Sequence, residues 1–103
     1  MTTIVVLFNL LPGADPDRYE QWAREMDMPN VRALPGCEGF QVLRVGGLLG
    51  SEERAPYEYC EIIEVSDIEA FGQAVAGEVM QAIAAQFREF ADNPVFMLSD
   101  SLD

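Results

Sequence analysis

The sequence predicts an α+β domain in which helices cover one four-stranded antiparallel sheet, with the elements in the order β-α-β-β-α-β. Three observations support this. Four runs rich in β-branched, aliphatic and aromatic residues are set apart by turn signals. Two amphipathic stretches separate the first run from the second and the third from the fourth. The chain has 103 residues, half of them apolar, which suits a single domain over residues 1–103 with one core. This order is the split βαβ plan of ferredoxin-like proteins.

Thr3 to Leu11 is a β-branched and aliphatic run closed by Pro12-Gly13 and reads as a buried strand. Asp15-Pro16 opens a helix, because Asp can cap free amides and Pro suits a first turn where its missing N–H has no partner anyway. Tyr19, Trp22, Ala23 and Met26 form its apolar stripe, with Glu20 and Arg24 as an i,i+4 pair on the wet side. Pro29 is expected to kink or stop that helix, and Pro35-Gly36 to end the turn that follows. Gly39 to Leu49 reads as the second strand with Phe40, Val42 and Leu43 as its core, and the glycines from Gly46 to Gly50 lie in a flexible acidic connection. Tyr57 to Val65 is the third strand. Ser66-x-x-Glu69 forms a capping box ahead of Ile68, Phe71 and Val75. Gly77 interrupts that helix, Val79, Met80, Ile83, Phe87 and Phe90 continue its stripe, Asn93-Pro94 stops it, and Val95 to Leu98 is the last strand.

A sheet with helices on one face and water on the other should alternate apolar with polar residues. Here Ile4, Val6, Phe8 and Leu10 lie on one parity, yet Val5, Leu7 and Leu11 lie on the other. The third strand sets Tyr57, Tyr59, Ile63 and Val65 against Cys60 and Ile62, and the last sets Val95 and Met97 against Phe96 and Leu98. A monomer would leave an apolar face in water, so a homodimer formed through the open sheet face is expected.

Six arginines against 18 acidic residues leave a net charge of −12. That surface repels phosphates, which argues against nucleic acid and anionic membranes as partners. Ile4 to Phe8 is too short an apolar run to span a bilayer, and no basic segment precedes it, so a cytoplasmic protein is expected. The chain contains no His and no Lys. Ser-His-Asp and Cys-His systems, a lysine Schiff base, a Walker-type loop and histidine metal ligands are therefore excluded. Cys37 and Cys60 have no metal-ligand spacing and read as small apolar residues in a reducing compartment. No metal and no cofactor is expected, which leaves the chemistry to carboxylates, Tyr, Arg and backbone amides.

In the segments YEQWAREMDMPNVRALP (Tyr19 to Pro35), GFQVLR (Gly39 to Arg44) and YEYCE (Tyr57 to Glu61), the chain resembles the REDY-like HapK family. The resemblance extends over nearly the whole chain. It implies a small dimeric α+β barrel, with ferredoxin-like protomers back to back and a pocket between sheet and helices in each. One family member is associated with prodigiosin pigment biosynthesis. The wider superfamily includes cofactor-free monooxygenases, polyketide cyclases and muconolactone-type isomerases. Its haem-degrading members use a histidine ligand, which this chain lacks.

Glu61 stands mid-strand among Tyr57, Tyr59 and Ile63, where desolvation would raise its pKa towards the range of a general acid or base. The structural alternative is an ion pair with Arg44 on the neighbouring strand. Asp27, on the shoulder of the first helical stripe, reads either as a base beside Trp22 in the pocket or as a cap on the turn that Pro29 begins. Arg32 and Arg44 are candidate cations for a ligand oxyanion, and Arg24 has Glu20 as a surface partner. Tyr59 and Asn9 could donate hydrogen bonds to a ligand oxygen. Trp22 and Phe40, with Phe71, Phe87 and Met80, would line the cavity.

These residues fit a cofactor-independent enzyme of secondary metabolism acting on a small apolar aromatic, pyrrole- or polyketide-like molecule. Glu61, Asp27 and Tyr59 would move the proton in a cyclisation, isomerisation or oxygenation. The alternative is a non-catalytic dimer that holds a hydrophobic intermediate or assists a partner enzyme.

Overall fold

The structure, a computed structural model, describes residues 1–103. Strands β1 (Thr2–Leu10), β2 (Cys37–Arg44), β3 (Tyr59–Val65) and β4 (Ala91–Asp100) form one sheet in the order β2-β3-β1-β4, antiparallel throughout. Helices α1 (Pro16–Trp22), α2 (Met28–Arg32), α3 (Ile68–Val75) and α4 (Glu78–Arg88) complete a ferredoxin-like domain. No helix is long and apolar enough to cross a membrane.

Alternation along the strands places the core. Ile4, Val6, Phe8 and Leu10 of β1 and Tyr59, Glu61, Ile63 and Val65 of β3 are all buried. They meet Tyr19, Ala23, Val31, Phe71, Met80, Ile83 and Phe87 from the helical layer. Phe8 sits at the centre, edge-on to Phe87 at 5.0 Å and to Tyr19 at 5.6 Å between ring centroids. The opposite face is also apolar. Val5 pairs across the sheet with Ile62 and Met97, and Leu7 pairs with Cys60 and Val95. Met97 is 40%, Val95 42% and Leu43 46% exposed there.

At Pro29, where a kink or a stop is expected, the first helical segment is distorted and not ended. It does not stop at Pro29 but runs on to Arg32, because Ala23–Asp27 widens into a π-helical turn in which the Met28 N–H reaches back five residues to the Ala23 carbonyl. The wider turn accommodates a proline that cannot bond to the carbonyl four residues earlier. It also moves Asp27. In a regular helix Asp27 would lie about 80° round from Tyr19, at 100° per residue. The slower winding of the π turn keeps it in line with the buried Tyr19 and Ala23, and Met26 is turned outward instead.

Other boundaries shift for local reasons. Strand β2 ends at Arg44, so Leu48 and Leu49 lie exposed in the connection. Leu43, adjacent to the half-buried Val42, necessarily points to the open face. The cap of α3 is Asp67, whose carboxylate accepts from the Ala70 N–H at 3.1 Å, while the Ser66 hydroxyl donates to the Gly36 carbonyl. Gly77 does separate α3 from α4. Asn93-Pro94 does not end α4, which stops at Arg88; it lies inside β4, where Asn93 has φ 47° and the register with β1 slips. Pro94 is tolerated because β4 is an edge strand with a bulge.

Candidate functional site

A cavity of about 180 Å³ lies between the helices and the sheet. Fourteen residues line it, and twelve of them are hydrophobic; the other two are Asp27 and Glu61. Strand β3 delivers Glu61 because every second residue of a strand faces the helices. The π turn delivers Asp27 from the other side. Phe40 of β2 and Ile83, Met80 and Phe87 of α4 supply apolar wall, and Phe96, on the β4 edge and 61% exposed, stands at the rim.

Both carboxylates are buried, Asp27 at 6% and Glu61 at 5% exposure. Glu61 accepts one long hydrogen bond, 3.5 Å, from the Tyr19 hydroxyl. No donor in the chain reaches Asp27, and its side chain does not cap α2. No arginine neutralises either group. Burial raises the pKa of Glu61 to about 8; the neighbouring Asp27 charge pushes the same way, and the Tyr19 hydroxyl opposes weakly. Burial likewise raises Asp27 to about 6. A carboxylate pair in an apolar enclosure resists double ionisation, so it holds a proton near neutrality. Burial first, then the Glu61 and Asp27 charges, raise the Tyr19 phenol above its ordinary range, so Tyr19 is a donor and not a base.

The expected Glu61–Arg44 ion pair does not form. Arg44 instead grips Glu20, with Nε donating to Oε2 at 2.8 Å and Nη2 donating to Oε1. The Tyr59 hydroxyl donates to Oε2 of Glu20 at 2.7 Å, and Arg24 approaches Oε1 at 3.5 Å. The Arg44 hydrogen bond, followed by that from Tyr59, holds the Glu20 carboxyl down at about 2. Glu20, Arg24, Arg44 and Tyr59 thus belong to a separate outer cleft of about 250 Å³, floored by Ala23, Met28 and Val42.

The remaining candidates also hold the fold away from the carboxylates. Asn9 bridges to the connection before β3, donating to the Pro56 carbonyl at 3.0 Å and accepting from the Glu58 N–H at 2.9 Å. The Trp22 indole N–H donates to Gln86 at 2.7 Å, tying α1 to α4. Arg32 donates through Nε and Nη2 to the Phe40 carbonyl, which fastens α2 to β2. Of the residues singled out from sequence, Asp27, Glu61, Phe40, Phe71, Met80 and Phe87 share the cavity, whereas Asn9, Trp22, Arg32, Arg44 and Tyr59 do not line it. Tyr19 went unnoticed as a polar group because its place in the helical stripe marked it as core. No group of three or more acidic or sulfur side chains is arranged to hold a metal ion.

Comparisons with known proteins identify one family and, beyond it, a shared fold. A family profile described as REDY-like protein HapK matches residues 2–102. The crystal structure of HapK from Hahella chejuensis is 26% identical with a TM-score of 0.78, covering 99% of this chain and 93% of that one. SnoaB, a cofactor-independent oxygenase from Streptomyces nogalater, is 20% identical with a TM-score of 0.76, covering 99% and 93%. A DABB-family protein with a ferredoxin-like fold from Mesorhizobium loti is 16% identical with a TM-score of 0.70, covering 99% and 97%. No curated protein sequence matches the chain.

Proposed function

The chain belongs to the REDY-like HapK family, and from that premise we propose that it is a cofactor-independent enzyme of secondary metabolism acting by acid–base catalysis on a small apolar aromatic, pyrrole- or polyketide-like compound. One observation carries this: two carboxylates with no cationic partner form the whole polar lining of an otherwise apolar cavity. Asp27, with its pKa near 6, is the base at neutral pH, and Glu61, near 8, is the acid. Two titratable groups whose environments set them apart in this way form an acid–base pair. Asp27 takes a proton from an activated C–H, N–H or O–H of the substrate. Protonated Glu61, contacted from behind by the Tyr19 hydroxyl, donates to the oxygen or nitrogen on which negative charge develops. The resulting electron-rich anion cyclises, isomerises or reacts with oxygen. Tyr59, Asn9, Arg32 and Arg44 then act by position, through the partners described above. The likeness to a cofactor-independent oxygenase supports a chemistry that relies on side chains alone.

The protein is also proposed to work as a homodimer joined through the face that bears Val5, Leu7, Leu43, Ile62, Val95 and Met97. A soluble protomer would otherwise leave this apolar area in water.

The test is solvent deuterium incorporation, with oxygen uptake followed in parallel, into a panel of phenols, pyrroles and 1,3-diketones. Glu61→Gln and Asp27→Asn should each slow exchange by about 10²-fold or more, the usual scale of general acid–base catalysis, while retaining the fold. Undiminished turnover in both variants would end the proposal. Tight binding by the wild type with no exchange on any compound would favour a protein that holds a hydrophobic intermediate.

A further inference from the structure

The charges of the cavity select the ligand. Its polar lining is acidic only, and the six arginines are committed elsewhere or lie outside it: Arg24 and Arg44 at Glu20, Arg32 at the Phe40 carbonyl, and Arg18, Arg54 and Arg88 beyond the cavity wall. A carboxylate or phosphate entering there would meet the ionised Asp27, a second carboxyl that shares its proton, and no cation, in a chain of net charge −12. Two side chains more than nine-tenths buried face the space, with oxygens that protein donors leave largely unused. Buried acceptors of this kind are satisfied by hydrogen-bond donors. The volume, about 180 Å³, is slightly above the roughly 150 Å³ of an apolar cavity that takes up benzene.

We propose that the cavity binds a monocyclic aromatic ligand that presents nitrogen donors, an amidinium, ammonium or N–H heterocycle, to the Asp27–Glu61 pair, and that it excludes aromatic carboxylates. This rests on the cavity being the working site, and it names the substrate class of that site. The ring packs against Phe40, Ile83 and Phe87, and the nitrogen group spans the two carboxylates in charge-assisted hydrogen bonds. Discrimination against an anion of the same shape follows from the absence of any cation within reach.

The experiment uses three probes of one shape: benzamidine, toluene and benzoate. Binding is followed by the NMR shifts of the Ile83 and Met80 methyls, which line the cavity and not the outer Glu20 cleft. Benzamidine should move these methyls saturably and bind at least tenfold more tightly than toluene, and benzoate should leave them unmoved. Asp27→Asn/Glu61→Gln should bring benzamidine down to the toluene level while toluene binding persists, which shows that the cavity is intact. Benzoate binding equal to or tighter than benzamidine, or benzamidine binding unchanged in the double variant, would overturn the proposal. These outcomes are read without turnover. If benzamidine fails while the single variants still abolish deuterium exchange, the ligand class is wrong and the acid–base assignment stands.

Discussion

Glu61→Gln should make the protein more stable at alkaline pH, because the native fold encloses a carboxyl that becomes a charge only against resistance. The folded pKa of about 8 lies above the ordinary 4.5. Between those values the folded state holds more protons than the unfolded chain, so stability falls as pH rises and the loss is complete above the folded pKa. A shift of that size corresponds to at most about 5 kcal/mol at 1.4 kcal/mol per unit. Water entry and coupling to Asp27 reduce it, and a gain of about 2 kcal/mol for the variant at pH 9 is expected. For a domain of about 100 residues that is roughly 8–16 °C in Tm. Gln keeps the shape and the oxygen that accepts from Tyr19, so the two proteins should differ little at pH 5. Below pH 4.5 Glu20 works in the opposite sense. Its depressed pKa, about 2, stabilises the fold above 4.5 and is lost as pH falls towards 2, which places the wild-type optimum near pH 5. Urea unfolding followed through the single tryptophan, Trp22, at pH 5, 7 and 9 measures all of this. Wild-type stability that is flat from pH 5 to 9, or a variant that declines in parallel with it, would refute the reasoning.

Three further perturbations probe other parts of the structure. Gly36→Ala should destabilise by about 2 kcal/mol or more, because Gly36 has φ +82° and an added Cβ would lie 2.5 Å from the Asp67 carbonyl oxygen; thermal melts check this. Tyr59→Phe removes the hydroxyl that holds Glu20, and chemical denaturation should register a loss of about 1 kcal/mol, with benzamidine binding in the inner cavity unaltered. Met97→Asp places a charge on the open sheet face, and light scattering at micromolar concentration should shift from a dimeric mass for the wild type to a monomeric one; a monomeric wild type would remove the proposed assembly.

The sheet was legible in the sequence because strand alternation has a period of two and survives any tertiary arrangement. It put Glu61 on the same face as Tyr59 and Ile63, and the structure keeps it there. The course of the first helix was not legible. A proline at position 29 signals a kink or a stop by its missing N–H without saying which, and packing of the continued helix against β2 favours the π turn. Asp27 was noticed at the edge of the apolar stripe, but its full burial depends on that turn. Hydrogen-bond partners were the least accessible feature. Glu20 was paired with Arg24 by helical spacing, whereas its stronger partners, Arg44 and Tyr59, come from β2 and β3, 24 and 39 residues away. Arg44 and Glu61 lie on neighbouring strands, which made an ion pair between them reasonable. Arg44 is level with Tyr59, however, while Val42 is the residue level with Glu61. A two-residue difference of this kind in sheet register cannot be read from composition.

The most direct measurement is a carboxyl ¹³C NMR titration of Asp27 and Glu61, with each assigned from its Asn or Gln variant. Two carboxyls confined in an apolar space without a cation should titrate late, Glu61 near 8 and Asp27 near 6, and replacing Asp27 should lower the Glu61 midpoint. A Glu61 midpoint close to 4.5 that ignores Asp27 would mean the group is hydrated or paired, and the proposed acid–base site would have no physical basis.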